Sequence, residues 1–342
     1  MSLFAGKDFG YIPVFDPAAG MLVRESPGSG TGWWSGAPSS YFDSHTNTFY
    51  LVYRVRHPRE LGRGIECRIA ASENGVTFHD IWALPRNSLD ALSVERSSIY
   101  RGRDGRWHML LSYCNSGDNR WHIGTLSADE PDTFDVSTMK PWLSPDDVAA
   151  EGVKDPVVYQ LGGMLYVLLS YAVLANADSS EVPPHLHSSG DVYNTGFIRS
   201  RTGALMAMEG QRGNWLGDIS PICQPISAGT NTSGVDPDNI PWDAYCRRIS
   251  TIVPLEIGGY LAYYDGSPTV NGNYEEKTGL AYSADLRTFY SLTPDAPLLT
   301  SPHSTGSLRY VDVLSVGHEL FYYYELACPD GSHELRVAVV DR

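Results

Sequence analysis

Three stretches of the chain share one layout of apolar and polar positions. Residues 37–42 (APSSYF) lead through a polar turn to residues 48–54 (TFYLVYR), residues 96–101 (RSSIYR) lead to residues 107–113 (WHMLLSY), and residues 155–160 (DPVVYQ) lead to residues 164–171 (MLYVLLSY). Each is a short apolar strand, a tight turn and an aromatic-rich strand. Two further copies follow, residues 250–255 (STIVPL) with 260–264 (YLAYY) and residues 310–316 (YVDVLSV) with 320–325 (LFYYYE). A second element trails most copies: a small or apolar strand ending in Ser, a turn, then Thr-Phe. It runs from Ser72 to Thr77-Phe78, from Ser127 to Thr133-Phe134 and from Ser283 to Thr288-Phe289, with residues 197–200 (FIRS) as a divergent instance.

Four strands per repeat make a propeller blade. The pattern therefore predicts an all-β, five-bladed β-propeller with four-stranded antiparallel blades, formed as one domain by residues 1–342. The fifth copy ends with residues 334–340 (ELRVAVV) as its third strand and lacks a fourth. An N-terminal strand, residues 11–15 or 21–24, is expected to close it and so remove an exposed edge. Two β-sandwiches would not repeat the Ser-turn-Thr-Phe element after each hairpin, and a β-helix would show a much shorter period. Helical patterning is absent except for a turn of helix expected at residues 148–153.

Composition narrows the function. The formal net charge of −15 argues against nucleic-acid and anionic-membrane partners. No apolar run approaches the length of a transmembrane helix, and no leader pattern opens the chain, so a cytoplasmic protein is expected. Cys67, Cys114, Cys223, Cys246 and Cys328 lie far apart without metal-finger spacing, which predicts reduced thiols. No phosphate loop or nucleophile elbow is present.

Charge makes up only 19% of the chain, yet it gathers where the inner strands are predicted to begin. Those starts are Ala37 after Trp34 and Ser35, Arg96 after Glu95, Asp155 after Lys154, Ser250 after Arg247 and Arg248, and Tyr310 after Arg309. The loops after the second strands are expected to hold Arg54, Arg56, Asp265 and Glu325, and a long insert to hold His185 and His187. Asp236, in a polar connector at residues 227–239, is placed to reach over the same face. A convergent set of this kind marks a site.

The repeats, with Lys154-Asp155-Pro156-Val157 opening one, resemble the arabinanase/levansucrase/invertase superfamily of five-bladed propellers. Lys154-Asp155-Pro156 is similar to the Arg-Asp-Pro of the invertase branch, whose carboxylate contacts sugar hydroxyls beside the reacting carbon. Trp34-Ser35-Gly36-Ala37 is similar to the Ser-Gly segment lining the sugar pocket of that branch. The resemblance implies a glycoside hydrolase acting on a small glycoside or oligosaccharide. It also shows departures. Ala37 stands where a first-blade carboxylate is expected, and Glu151-Gly152-Val153 is off register from the Glu-Gly-Pro of the arabinanases. The layout is also similar to mannoside phosphorylase-like propellers, with Arg56, Arg247, Arg248 and Arg309 available for a phosphate. A non-catalytic sugar-binding propeller is the third expectation.

Glycoside cleavage needs a proton donor and a second carboxylate whose pKa differs from it. Asp155, Glu95 and Glu325 are the candidate catalytic carboxylates. Trp34, Ser35, Arg56, Arg96, Lys154, His187, Asp236, Arg248, Asp265, Arg309 and Tyr310 are the candidate substrate contacts. The bland alternatives are a turn cap for Asp155 before Pro156, a surface pair for Glu95 and Arg96, and inter-blade salt bridges for the arginines. No cofactor is expected. An axial channel leaves room for a structural cation, although no ligand set announces one. His185 and His187 lack a third metal ligand.

Overall fold

The computed structural model describes residues 14–175, 192–211, 213–223 and 240–341. The first strand is β1 (Met21–Arg24). Five antiparallel units then follow. The first is β2 (Trp34–Asp43), β3 (Thr48–Arg56), β4 (Gly64–Ser72) and β5 (His79–Pro85), each paired with the next. In the second, the inner strand is split into β6 (Ala91–Val94) and β7 (Ser98–Arg101), which both pair with β8 (Trp107–Asn115); β9 (Trp121–Ala128) and β10 (Lys140–Leu143) complete it. The third is β11 (Gly152–Leu161), β12 (Met164–Leu174), β13 (Ile198–Met208) and β14 (Asn214–Asp218). The fourth is β15 (Cys246–Pro254), β16 (Tyr260–Ser267), β17 (Lys277–Ser283) and β18 (Phe289–Ser291). The fifth is β19 (Leu308–Val316), β20 (Glu319–Ala327) and β21 (His333–Asp341), and β1 pairs antiparallel with β21 as its fourth strand.

Apolar clusters fill the space between consecutive units, and also between the fifth and the first. Val52 and Ile69 meet Met109 and Leu111 between the first two units. Leu110 and Ile123 meet Val167 and Leu169 at the next junction, and Leu168 meets Ala262 and Phe289 at the one after. Tyr263 and Leu280 meet Tyr322 and Leu326 between the fourth and fifth units, and Tyr323 and Val337 meet Leu51 and Tyr53 between the fifth and first. The aromatic-rich second strands thus supply the large side chains of every junction, where each ring buries a large apolar area.

The Ser-turn-Thr-Phe element is architectural. Ser72 Oγ accepts from the backbone N–H of Asn74 and Gly75, and Asn74 Oδ1 accepts from Val76 and Thr77. Ser283 and Asp285 repeat this arrangement toward Leu286, Arg287 and Thr288. The turn delivers Phe78 and Phe289, both buried, into the junctions.

Two local expectations need correction. The helical turn lies at Pro145–Val148, not at 148–153, because the Ser144 and Asp147 capping box opens it and Ala149 ends it in the left-handed region at φ 51. The inner strands also begin earlier than expected. β2 starts at Trp34 and β11 at Gly152, so Ala37 and Asp155 lie inside strands. Of the two expected closing segments, residues 21–24 pair with β21, whereas residues 11–13 lie outside the described residues. Phe15 packs at a tilt against Tyr322 and Tyr324, with ring centroids 4.7 and 4.9 Å apart. All five cysteines are free thiols.

Candidate active site

The registers show how the repeat builds the site. Each first strand carries a bulge, an extra residue that re-aims the chain. Pairing shifts between Gly36 and Ser39, Lys154 and Val157, Ile249 and Thr251, and Arg309 and Asp312. Gly36, Lys154, Arg248 and Arg309 therefore occupy one level, directly opposite Arg54, Ser170, Asp265 and Glu325 on the second strands. Glu95 holds that level in the second unit, with its N–H donating to the Ser112 carbonyl at 3.1 Å. Ala37, Asp155 and Tyr310, next in their strands, adopt φ of 53°, 58° and 54°. Left-handed backbone is costly for a bulky side chain such as Tyr310, by roughly 1–2 kcal/mol. It is offset there by a hydrogen bond from its N–H to Asp265 Oδ1 at 2.8 Å and by Arg309 and Arg248 beside its ring at 5.1 and 5.5 Å.

These residues form a continuous buried ion network. Glu95 Oε2 accepts from Arg54 Nε at 2.8 Å, and Arg54 Nη2 donates to Glu325 Oε2 at 3.0 Å. Arg309 Nη2 and Nε donate to Glu325 Oε1 at 2.8 and 2.9 Å, and its Nη1 donates to Glu276 Oε2 at 2.8 Å. Arg248 Nη2 donates to Glu276 Oε1 at 2.7 Å and lies 3.6 Å from Asp265 Oδ2. His333 Nδ1 meets Glu325 Oε1 at 2.8 Å, its ring stacked on Trp34 at 4.5 Å. Charges removed from water need such partners.

The electrostatic consequences divide the carboxylates. Burial opposes the charged form of Glu325, but Arg309, Arg54 and His333 outweigh it and hold the carboxyl well below the usual range. Burial is likewise outweighed at Glu95 by Arg54 and Lys154, which lower its pKa, and at Glu276 by Arg248 and Arg309, which bring it to about 2. Asp265 goes the other way. Burial, reinforced by the charge of Glu276 and only partly opposed by Arg248 and the Tyr310 N–H, pushes it up to about 7. Asp155 is different again. It is buried, Lys154 Nζ lies 3.1 Å from its Oδ2, and among the described residues neither carboxylate oxygen accepts a hydrogen bond. Its N–H donates to Ser112 Oγ at 2.9 Å, which fixes the backbone. Lys154 also faces the rings of Tyr193 and Trp121 at 5.1 and 5.5 Å.

The structure therefore brings together Trp34, Arg54, Glu95, Lys154, Asp155, Arg248, Asp265, Arg309, Tyr310 and Glu325, with Ser35 buried on β2 beside them. Arg54, Arg56, Asp265 and Glu325, expected in loops, sit on the last residues of β3, β16 and β20 instead. Glu95 and Arg96 do not pair on the surface. Arg96 is committed to other inner strands, donating to the carbonyls of Pro38 and Ser250 and to Asp312 Oδ1 at 2.7, 2.8 and 2.9 Å. Arg247 alternates to the opposite face from Arg248, pairs with Asp243 at 3.0 Å and lines a separate cavity of about 550 Å³ with Arg199, Arg201 and Tyr245. His187 and Asp236 lie outside the described residues. Glu276, Tyr274 and His333 belong to the site but were not expected. Glu276 stands in the charged run Glu275-Glu276-Lys277, and its burial and its ion pairs with Arg248 and Arg309 show that it turns inward. Among the described residues, no group of three or more His, Cys, Asp or Glu is placed to hold a metal ion.

No family model matches the chain, and no curated protein matches it in sequence. Solved structures share its fold. RS223-β-xylosidase is 11% identical with a TM-score of 0.57, covering 92% of this chain and 94% of that one. An endo-arabinase from Bacteroides thetaiotaomicron is 15% identical with a TM-score of 0.54, covering 94% and 97%. A GH43_1 enzyme from Xanthomonas citri, complexed with xylotriose, is 11% identical with a TM-score of 0.57, covering 93% and 90%. The chain has the all-β propeller fold of these structures. At such identities the likeness is one of fold.

Proposed function

We propose that the chain is a glycoside hydrolase whose five units are the blades of a five-bladed propeller, closed by β1, with the reaction in the axial site. The observation that carries this reading is the contrast between two buried aspartates. Asp155 is paired with Lys154 at 3.1 Å and accepts no hydrogen bond among the described residues, whereas Asp265 is pushed to a pKa of about 7 by burial. That contrast is what glycoside cleavage requires of its carboxylate and its proton donor. In this reading Asp155 faces the anomeric carbon or its attacking water, and Asp265 protonates the leaving oxygen. Glu95 and Glu325 carry fixed negative charge that orients Arg54 and Arg309. The solved structures of this fold include a xylosidase, an arabinase and a xylotriose complex, which supports a carbohydrate ligand.

Incubation of the protein with a panel of short oligosaccharides and aryl glycosides, followed by chromatography of the products, tests this reading. Release of sugar without added phosphate is the expected result. Binding of the same glycosides with no cleavage of any would overturn it. A second reading, a sugar-binding propeller without turnover, is favoured by one observation. Ala37 occupies in the first unit the bulge position that Asp155 occupies in the third, so the first unit brings no carboxylate there.

A further inference from the structure

Among the described residues, Arg56 is the cation of this buried cluster that has no acidic partner. Arg54, Arg96, Arg248, Arg309 and Lys154 each meet at least one carboxylate. Arg56 is 2% exposed, and its Nε and Nη1 make no hydrogen bond. It is held between two aromatic faces, Trp34 at 4.0 Å and Tyr274 at 4.3 Å. Cation–π contact offsets only part of the cost of removing a guanidinium from water. The cost is visible in its acidity. Burial, opposed only in part by Tyr274 and Glu95 and reinforced by repulsion from Arg54 and Arg309, lowers the Arg56 pKa to about 10. The other unsatisfied buried polar atoms beside it are also donors. Trp34 Nε1 and Arg54 Nη1 have no acceptor, Trp34 is in register with Arg56, and Arg54 lies two residues away on the same face of β3. Four donor atoms unsatisfied among the described residues, two of them on Arg56, match a group that brings several acceptor lone pairs and a negative charge. An arginine fork is suited to carboxylate and phosphate oxygens. A neutral hydroxyl would answer the hydrogen bonds but leave the charge unpaired.

We infer that Arg56, with Trp34 Nε1 and Arg54 Nη1, anchors an oxyanion, the carboxylate of an acidic sugar or a phosphate bound beside the sugar. This inference rests on the carbohydrate reading of the site. The ligand supplies the counter-charge that the described residues do not give Arg56, so affinity for the anionic group and apo-stability work against each other at this residue.

Calorimetric titration of the full chain with glucuronate, galacturonate, glucose, galactose and inorganic phosphate tests the inference, alongside Arg56→Met. Uronates are expected to bind about tenfold or more tightly than the matching hexoses if the anion belongs to the sugar, and phosphate to bind saturably if it is separate. Arg56→Met is expected to erase the preference while leaving the melting temperature unchanged or raised, because an unpaired buried charge is removed and the thioether keeps the stack. Equal affinity for uronates and hexoses with no phosphate binding would overturn the inference, as would a lowered melting temperature with the anion preference intact. Acidic sugars that bind through Arg56 but are not cleaved would count against hydrolysis alone. Neutral glycosides cleaved by a wild-type protein that shows no preference for uronates and no phosphate binding would count against the oxyanion alone.

Discussion

Arg309 and Glu325 stand directly opposite one another on β19 and β20, and the guanidinium donates twice to one oxygen, Oε1, at 2.8 and 2.9 Å. The other oxygen, Oε2, accepts from Arg54 and from the Ala37 N–H, both at 3.0 Å. One carboxylate thus fastens the fifth unit to the first at the level of the site. Glu325→Gln removes the charge while keeping the shape, and leaves two buried guanidinium groups under-compensated. A loss of about 3–5 kcal/mol of unfolding free energy is expected by denaturant titration. A loss under about 1 kcal/mol would show that the network contributes little to the junction between the fifth unit and the first.

Gly36 is needed for the same contact. A Cβ there would fall against Glu325 Oε2 and within 2.5 Å of its Cδ. Glu325 cannot retreat, since four groups hold its two oxygens. Gly36→Ala is expected to lower stability by at least about 1–3 kcal/mol, as overpacking does, and to disturb the site. A wild-type melting curve for this variant would contradict the account.

Asp265 makes stability fall with pH in a defined window. Its carboxyl is raised from 3.8 to about 7, chiefly by burial. Below its unfolded value both states are protonated, and the favourable contribution is complete. As pH rises toward 7 the unfolded chain ionises first, so that contribution is lost. Asp265→Asn stays neutral and keeps an acceptor for the Tyr310 N–H. The variant should match the wild type near pH 4 and exceed it by an amount that grows to a few kcal/mol above pH 7. Parallel stability curves across this range would refute the shift. Turnover, if Asp265 is the proton donor, should decline above about pH 7 for the same reason.

The serine turns are expected to act locally. Ser283→Ala removes the acceptor for the N–H groups of Asp285 and Leu286 at the outer edge of the fourth unit. A loss of about 1 kcal/mol in unfolding free energy, with ligand binding unchanged, is expected. A larger change in binding would give this turn a role that its position does not provide.

Much of the architecture was legible because the repeat is written in backbone chemistry. Ser72 and Ser283 recur for their turns, Phe78 and Phe289 for the junctions they fill, and the aromatic second strands for the areas they bury. The concentration of charge at the inner strands was legible too. What each charge does was not. Arg248 and Arg247 are adjacent in sequence, yet only one faces the ring, a matter of strand parity fixed by a bulge that shifts between Ile249 and Thr251 rather than where the other units place it. Glu276 was invisible because its partners, Arg248 and Arg309, come from different units. Arg96 looked like a substrate contact, but its donors are taken by neighbouring inner strands.

The central claim is that Asp155 performs chemistry, and the most direct measurement is the turnover of Asp155→Asn on a glycoside that the wild type cleaves, with binding followed in parallel. The account predicts a fall in kcat of about two orders of magnitude or more, with affinity for the glycoside within a few-fold of wild type. Asparagine preserves the shape, tolerates the left-handed backbone at φ 58 and removes only the charge. Undiminished turnover in this variant would contradict the account and return Asp155 to the role of a turn residue before Pro156.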